Sequence, residues 1–119
     1  KDDILVLGLD SMSARMEIVK LIAQCPDKPS VVIDGRMGAE QYQQYIYNNI
    51  TVKKYEKDWY SDEDSDPEPC TRKATSYCSN MSGSFISNSI KNIVMKQPYF
   101  KEIVFNFSTL ILDKKKLVS

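Results

Sequence analysis

Three places in the sequence combine residue types that could do chemistry. Asp10 follows the apolar run Ile4 to Leu9 directly. In open α/β sheets ligands bind beyond the carboxyl ends of strands, and a carboxylate there can hold Mg²⁺ or the polar part of a nucleotide. Asp is equally a favoured helix N-cap, and the two roles are compatible. Asp34-Gly35-Arg36-Met37-Gly38 follows a second strand-like run. Its glycines allow positive φ and close backbone approach, so Arg36 either presents a planar cation to a phosphate or carboxylate or sits on a turn as a surface residue. Cys70 stands between an acidic stretch and a helix-like segment, beside Arg72 and Lys73. A helix N-terminus and nearby cations lower a thiol's pKa, the acidic stretch opposes this, and a lone cysteine also serves as a small buried hydrophobe. Cys25 and Cys78 have only that last reading.

The composition narrows what else is possible. Histidine is absent, which removes the commonest general base and metal ligand together. Lys and Arg total 16 against 16 Asp and Glu, so no overall charge draws the chain to nucleic acid or an acidic membrane. Three cysteines without C-x-x-C spacing argue against a zinc site or a disulfide framework. No apolar run is long enough for a membrane helix, and Lys-Asp-Asp does not begin like a signal peptide. These features together lead to the expectation of a cytoplasmic protein.

These residues need elements to position them. Ile4 to Leu9 reads as a strand buried on both faces. Asp10, Ser11 and Ser13 are good N-caps for a helix whose apolar face is Met12, Met16, Val19 and Ala23, and Pro26 stops it. Ser30 to Ile33 is a second strand ending at Asp34-Gly35, so residues 4–34 form a right-handed parallel βαβ unit. Over 35–60, Gly35 and Gly38 suggest a bent loop, Ala39 to Tyr47 is assigned to strand, and Lys53 to Tyr60 fits a short helix. The tyrosines and Trp59 there read as packing or interface residues. Residues 61–69 carry five acids and two prolines and form a solvated loop. A helix over 71–97 presents Phe85, Ile86, Ile90, Ile93 and Val94, with Ser and Asn opposite, and ends at Pro98. Terminal strands over 102–113, at Glu102 to Phe107 and Leu110 to Leu112, precede a charged tail at Lys114 to Lys116.

Four pieces in fixed order resemble ThiF/MoeB-type domains of the ubiquitin-activating superfamily. Leu9-Asp10-Ser11-Met12-Ser13-Ala14-Arg15 is similar to their Asp-x-x-x-x-Arg turn. Val32-Ile33-Asp34-Gly35-Arg36-Met37-Gly38-Ala39-Glu40 is similar to the strand and loop that follow. Tyr60-Ser61-Asp62-Glu63 with Pro69-Cys70-Thr71 resembles the acidic crossover loop and its closing Pro-Cys-Thr, and the final apolar runs resemble the last antiparallel strands. The resemblance spans nearly the whole chain and matches the second half of the family's domain. It implies a Rossmann-like α/β fold with about five strands, the later ones antiparallel. It implies ATP-dependent adenylation of the C-terminal carboxylate of a ubiquitin-like or sulfur-carrier protein. In that setting Asp10 would contact Mg²⁺-ATP, Arg15 would support the turn, Arg36 would belong to the nucleotide side, and Cys70 matches the thiol that some members acylate.

One departure shapes the functional expectation. The family's Gly-rich βα turn, whose helix N-terminal amides cradle phosphates, has no counterpart in these residues. Two readings follow. The chain is part of an adenylyltransferase that needs a complementing chain carrying the Gly-rich half, and is inactive alone. Alternatively, it is a non-catalytic α/β interaction module. A homodimer through the Ser-rich helix or the aromatic segment is compatible with either.

Overall fold

The computed structural model describes residues 3–8, 12–38, 40–59 and 76–118. Asp10, the acidic stretch 61–69, Cys70 and the expected start of the long helix lie outside them. Five strands and three helices follow one another: β1 (Ile4–Leu7), α1 (Met12–Gln24), β2 (Val31–Met37), β3 (Gln41–Asn48), α2 (Val52–Glu56), α3 (Ser76–Val94), β4 (Tyr99–Asn106) and β5 (Ile111–Val118). The strands form one sheet in the order β1-β2-β3-β4-β5. β1 and β2 are parallel, with Leu7 opposite Asp34; the other neighbours are antiparallel. This is the expected α/β class, a parallel βαβ start followed by antiparallel strands.

Alternation along β2 and β3 assigns each side chain to a face. On one face Val32, Tyr47, Ile50 and Tyr55 join Leu7 with Met16 and Val19 of α1, and Trp59 packs against this cluster. On the other, Val31, Ile33 and Ile46 meet Ile86, Ile90 and Ile93 of α3. Each fully buried aliphatic side chain here contributes about 1.5–3 kcal/mol relative to exposure. The expected α1 stripe holds at Met12, Met16 and Val19, all buried. The α2 N-cap is Thr51, whose hydroxyl accepts from the Lys54 amide at 3.1 Å.

Four local expectations are corrected. Asp34-Gly35 does not end the second strand and the bent loop does not form: β2 runs on to Met37, paired through to Tyr42. Among the described residues no glycine has positive φ. Gly35 serves close packing instead, since a Cβ there would meet the Tyr42 hydroxyl at 3.1 Å and Ile86 Cδ1 at 3.5 Å. On α3, Ser82 and Ser89 are buried and Val94 is exposed. The small serines let the helix approach the sheet, and Ser89 Oγ accepts from Gln44 Nε2 at 2.7 Å. Finally, Lys114 to Lys116 is not a tail but part of β5, which pairs with β4 from Asn106 to Tyr99. Lysines suit such an edge because they discourage pairing with further strands.

Candidate functional site

The carboxyl ends of the parallel pair β1–β2 are where an open α/β sheet binds ligands, and charge is concentrated there. Asp34 and Arg36 alternate with Gly35 along β2, so both side chains point to the α1/α2 face. Arg15 reaches the same point from the second turn of α1. Asp34 is fully buried, and Arg15 and Arg36 are 4% and 5% exposed.

Asp34 is the hub. One carboxylate oxygen, Oδ1, accepts from Arg15 Nη1 in a buried ion pair. The other, Oδ2, accepts from Arg36 Nε at 3.0 Å and from the Tyr55 hydroxyl at 2.8 Å, with Arg36 Nη2 at 2.9 Å. Arg15 Nη1 also donates to the Gly35 carbonyl at 3.0 Å. Arg36 Nη1 donates to the Asp58 carbonyl at 2.7 Å, and its guanidinium lies 4.4 Å from the Tyr45 ring centroid. Tyr47 donates to Asp58 Oδ2 at 2.8 Å, and Trp59 Nε1 donates to the Met12 carbonyl at 2.7 Å. The network therefore ties β2 to the first residues of α1 and to the segment after α2.

The electrostatics favour permanence over proton transfer. Burial pulls the Arg36 pKa down, but Asp34, Tyr55 and Tyr47 together outweigh it and the guanidinium is held more firmly charged. Tyr47 and Tyr55 are pushed well above the usual phenol range, chiefly by burial and then by Asp58 and Asp34 respectively. Neither phenol can act as a base near neutrality. The cluster holds and orients; it does not itself supply a nucleophile.

Of the residues singled out in the sequence, Arg15 and Arg36 are brought together, both on Asp34. Arg36 lies inside β2 rather than on a turn, with its guanidinium turned toward Asp34 and Asp58. Asp10 and Cys70 lie outside the described residues, and Cys25 is exposed. Sequence reasoning missed the hub itself, its partner Tyr55, and the Tyr47–Asp58 pair that Arg36 reaches. Asp34 was legible as a turn former, and only the i+2 alternation with Arg36 signalled a shared face. Among the described residues no group of three or more Cys, Asp and Glu side chains is placed to hold a metal ion, and no helix is long and apolar enough to cross a membrane. Comparison with protein-family models and with curated proteins gives no match to this chain.

Proposed function

We propose that this chain is the second half of an adenylyltransferase of the ThiF/MoeB type. It would activate the C-terminal carboxylate of a ubiquitin-like or sulfur-carrier protein once a Gly-rich nucleotide half completes the sheet. The observation that carries the reading is the Arg15–Asp34–Arg36 network at the carboxyl ends of β1 and β2. It anchors the first residues of α1 at the carboxyl ends of the parallel pair, which is where this sheet type receives a nucleotide. A second support is the parallel β1–β2 pair itself. Among the described residues β1 has β2 as its only strand neighbour, and the free edge of a strand presents backbone N–H and C=O groups with which a further strand can pair.

In this reading Asp10 holds Mg²⁺ and Arg15 supports the turn. Asp34 positions Arg15, and Arg36 stiffens the far side through Asp58. ATP supplies the electrophilic α-phosphorus: the carrier's carboxylate oxygen bonds to it and pyrophosphate leaves. Cys70 then stands as a candidate for accepting the acyl group, with AMP departing as the thioester forms. Co-expression with a Gly-rich half, followed by Mg²⁺-ATP binding measurements on the isolated complex, tests the reading. Binding that depends on both halves is expected; no binding by the folded complex would overturn it.

The alternative, an interaction module without catalysis, draws on one specific observation. Arg15 and Arg36 are almost fully buried and committed to Asp34, as in a purely architectural ion-pair network.

A further inference from the structure

The two outer strands of the sheet differ in character. β1 is short and apolar, whereas β5 is as long as β4, contains no proline, and is exposed at every position over 111–117. Among the described residues β4 is the only strand beside β5, so backbone N–H and C=O groups of alternate β5 residues face outward from the ladder. Protein sheets blunt such an edge by shortening it, covering it, or placing proline or charge on it. β5 carries charge, with Lys114, Lys115 and Lys116 in succession between Ile111-Leu112-Asp113 and Leu117-Val118. Lys116 also has φ 60, which departs from strand geometry and leaves residues 111–115 as the regular edge.

Charge of one sign discourages some strands and favours others. Residues directly opposite each other in an antiparallel pair share a face and lie close together. Two β5 strands paired about Lys114 would set that lysine against its own copy. Pairing about Lys115 would do the same there and place Lys114 against Lys116. Like charges so placed are destabilising, whereas opposite charges contribute favourably. The edge therefore disfavours a second copy of itself and fits a strand of acidic residues. The hairpin's own acids do not fill that place. Asp113 stands opposite Val104, and Glu102 reaches Lys115 at 3.5 Å while the lysine side chain stays 69% exposed. Lys114 and Lys116 have no ion-pair partner among the described residues.

We propose that β5 is a docking edge for an acidic extended segment of a partner protein, which adds to the sheet as a further strand. Backbone hydrogen bonds along residues 111–115 supply affinity, and carboxylates opposite the lysines supply selectivity. Exposed Ile111 and Leu112 take apolar residues at one end of that segment. The site lies at the opposite edge of the sheet from β1, so it stands or falls independently of the activation reading.

The test is fluorescence anisotropy with a labelled synthetic peptide of three central glutamates flanked by valine and threonine. Beside it run a version with lysines in place of the glutamates and a version N-methylated at alternate residues, which keeps the charge but loses backbone donors. Saturable binding by the unmethylated acidic peptide alone is expected. Lys114→Gln should weaken it about two- to fivefold, the range of one cross-strand charge pair, with the melting temperature unchanged. Amide hydrogen exchange locates the peptide: its binding should slow exchange at alternate residues of 111–115 and leave β1 as it was. Equal binding of the N-methylated peptide would overturn the proposal, because it would show charge attraction without strand addition. Protection at β1 instead of β5, or no saturable binding, would overturn it equally.

Discussion

Two regions of this molecule handle positive charge in opposite ways. At the carboxyl end of β2, two guanidiniums share one carboxylate, are nearly excluded from water, and have tyrosine hydroxyls and backbone carbonyls around them. On the outer hairpin, Lys101 and Lys116 sit at one level of β4–β5 with no ion-pair partner among the described residues. The first arrangement is architecture: a buried charge persists only when it is paired and hydrogen-bonded. The second is charge at the sheet's outer hairpin, half-buried at Lys101 and exposed at Lys116, that no ion pair compensates among the described residues. The contrast separates buried charge that the fold pairs from hairpin charge that it leaves unpaired among the described residues.

The strongest way to break this comparison is at its hub. Asp34→Asn leaves Arg15 and Arg36 buried without their counter-charge and should cost about 3–5 kcal/mol of stability, read by urea denaturation. A loss below about 1 kcal/mol would mean that the network is not structural. Tyr55→Phe removes one hydrogen bond to the buried carboxylate and should cost about 1.5–3 kcal/mol in the same assay.

The raised phenol pKa values of Tyr47 and Tyr55 sharpen the point. In the unfolded chain tyrosine ionises near pH 10, but in the fold these two release their protons only at higher pH. Their stability contribution is therefore complete below pH 10 and declines as pH rises above it. Denaturation midpoints measured from pH 8 upward should fall steeply past pH 10, and less steeply in Tyr47→Phe.

The outer hairpin should respond in the opposite sense. Lys116→Gly relieves the left-handed backbone and the like-charge pair together, and should raise stability by about 1 kcal/mol. The smallest effect belongs to Lys115→Ala, whose ion pair with Glu102 is long and solvent-exposed on the lysine side. It should change stability by less than about 1 kcal/mol. A larger loss there would erase the distinction between the two regions.

How much of this the sequence revealed depended on whether local chemistry and tertiary pairing agreed. The unbroken apolar runs at Ile4 and Val31 announced a parallel pair, and Met12, Met16 and Val19 announced the helix between them; the expected burial on both faces holds for β2 but not for β1, where Leu7 is buried and Val6 is exposed. Asp34-Gly35 announced a turn, and there local preference was overridden. Pairing with β3 supplies the backbone partners, Arg15, Arg36 and Tyr55 satisfy the carboxylate, and Tyr42 fills the space a side chain at Gly35 would need. Lys114 to Lys116 misled in the same way: three lysines read as solvated tail, but their backbone completes the ladder with β4. Arg15 entered only through a family resemblance. Its partner lies 19 residues away, and Tyr55 lies 21 from Asp34. Nothing in spacing alone foretells such contacts.

The central functional claim is that the network at Asp34 supports a nucleotide site that another half of the sheet completes. ATP–pyrophosphate exchange by the co-purified complex with a Gly-rich half, run beside Asp10→Ala and this chain alone, tests it most directly. Exchange in the complex, and none in Asp10→Ala or in the lone chain, is the predicted result. Absence of exchange in a folded complex that still binds its carrier protein would contradict the claim and leave the chain an interaction module.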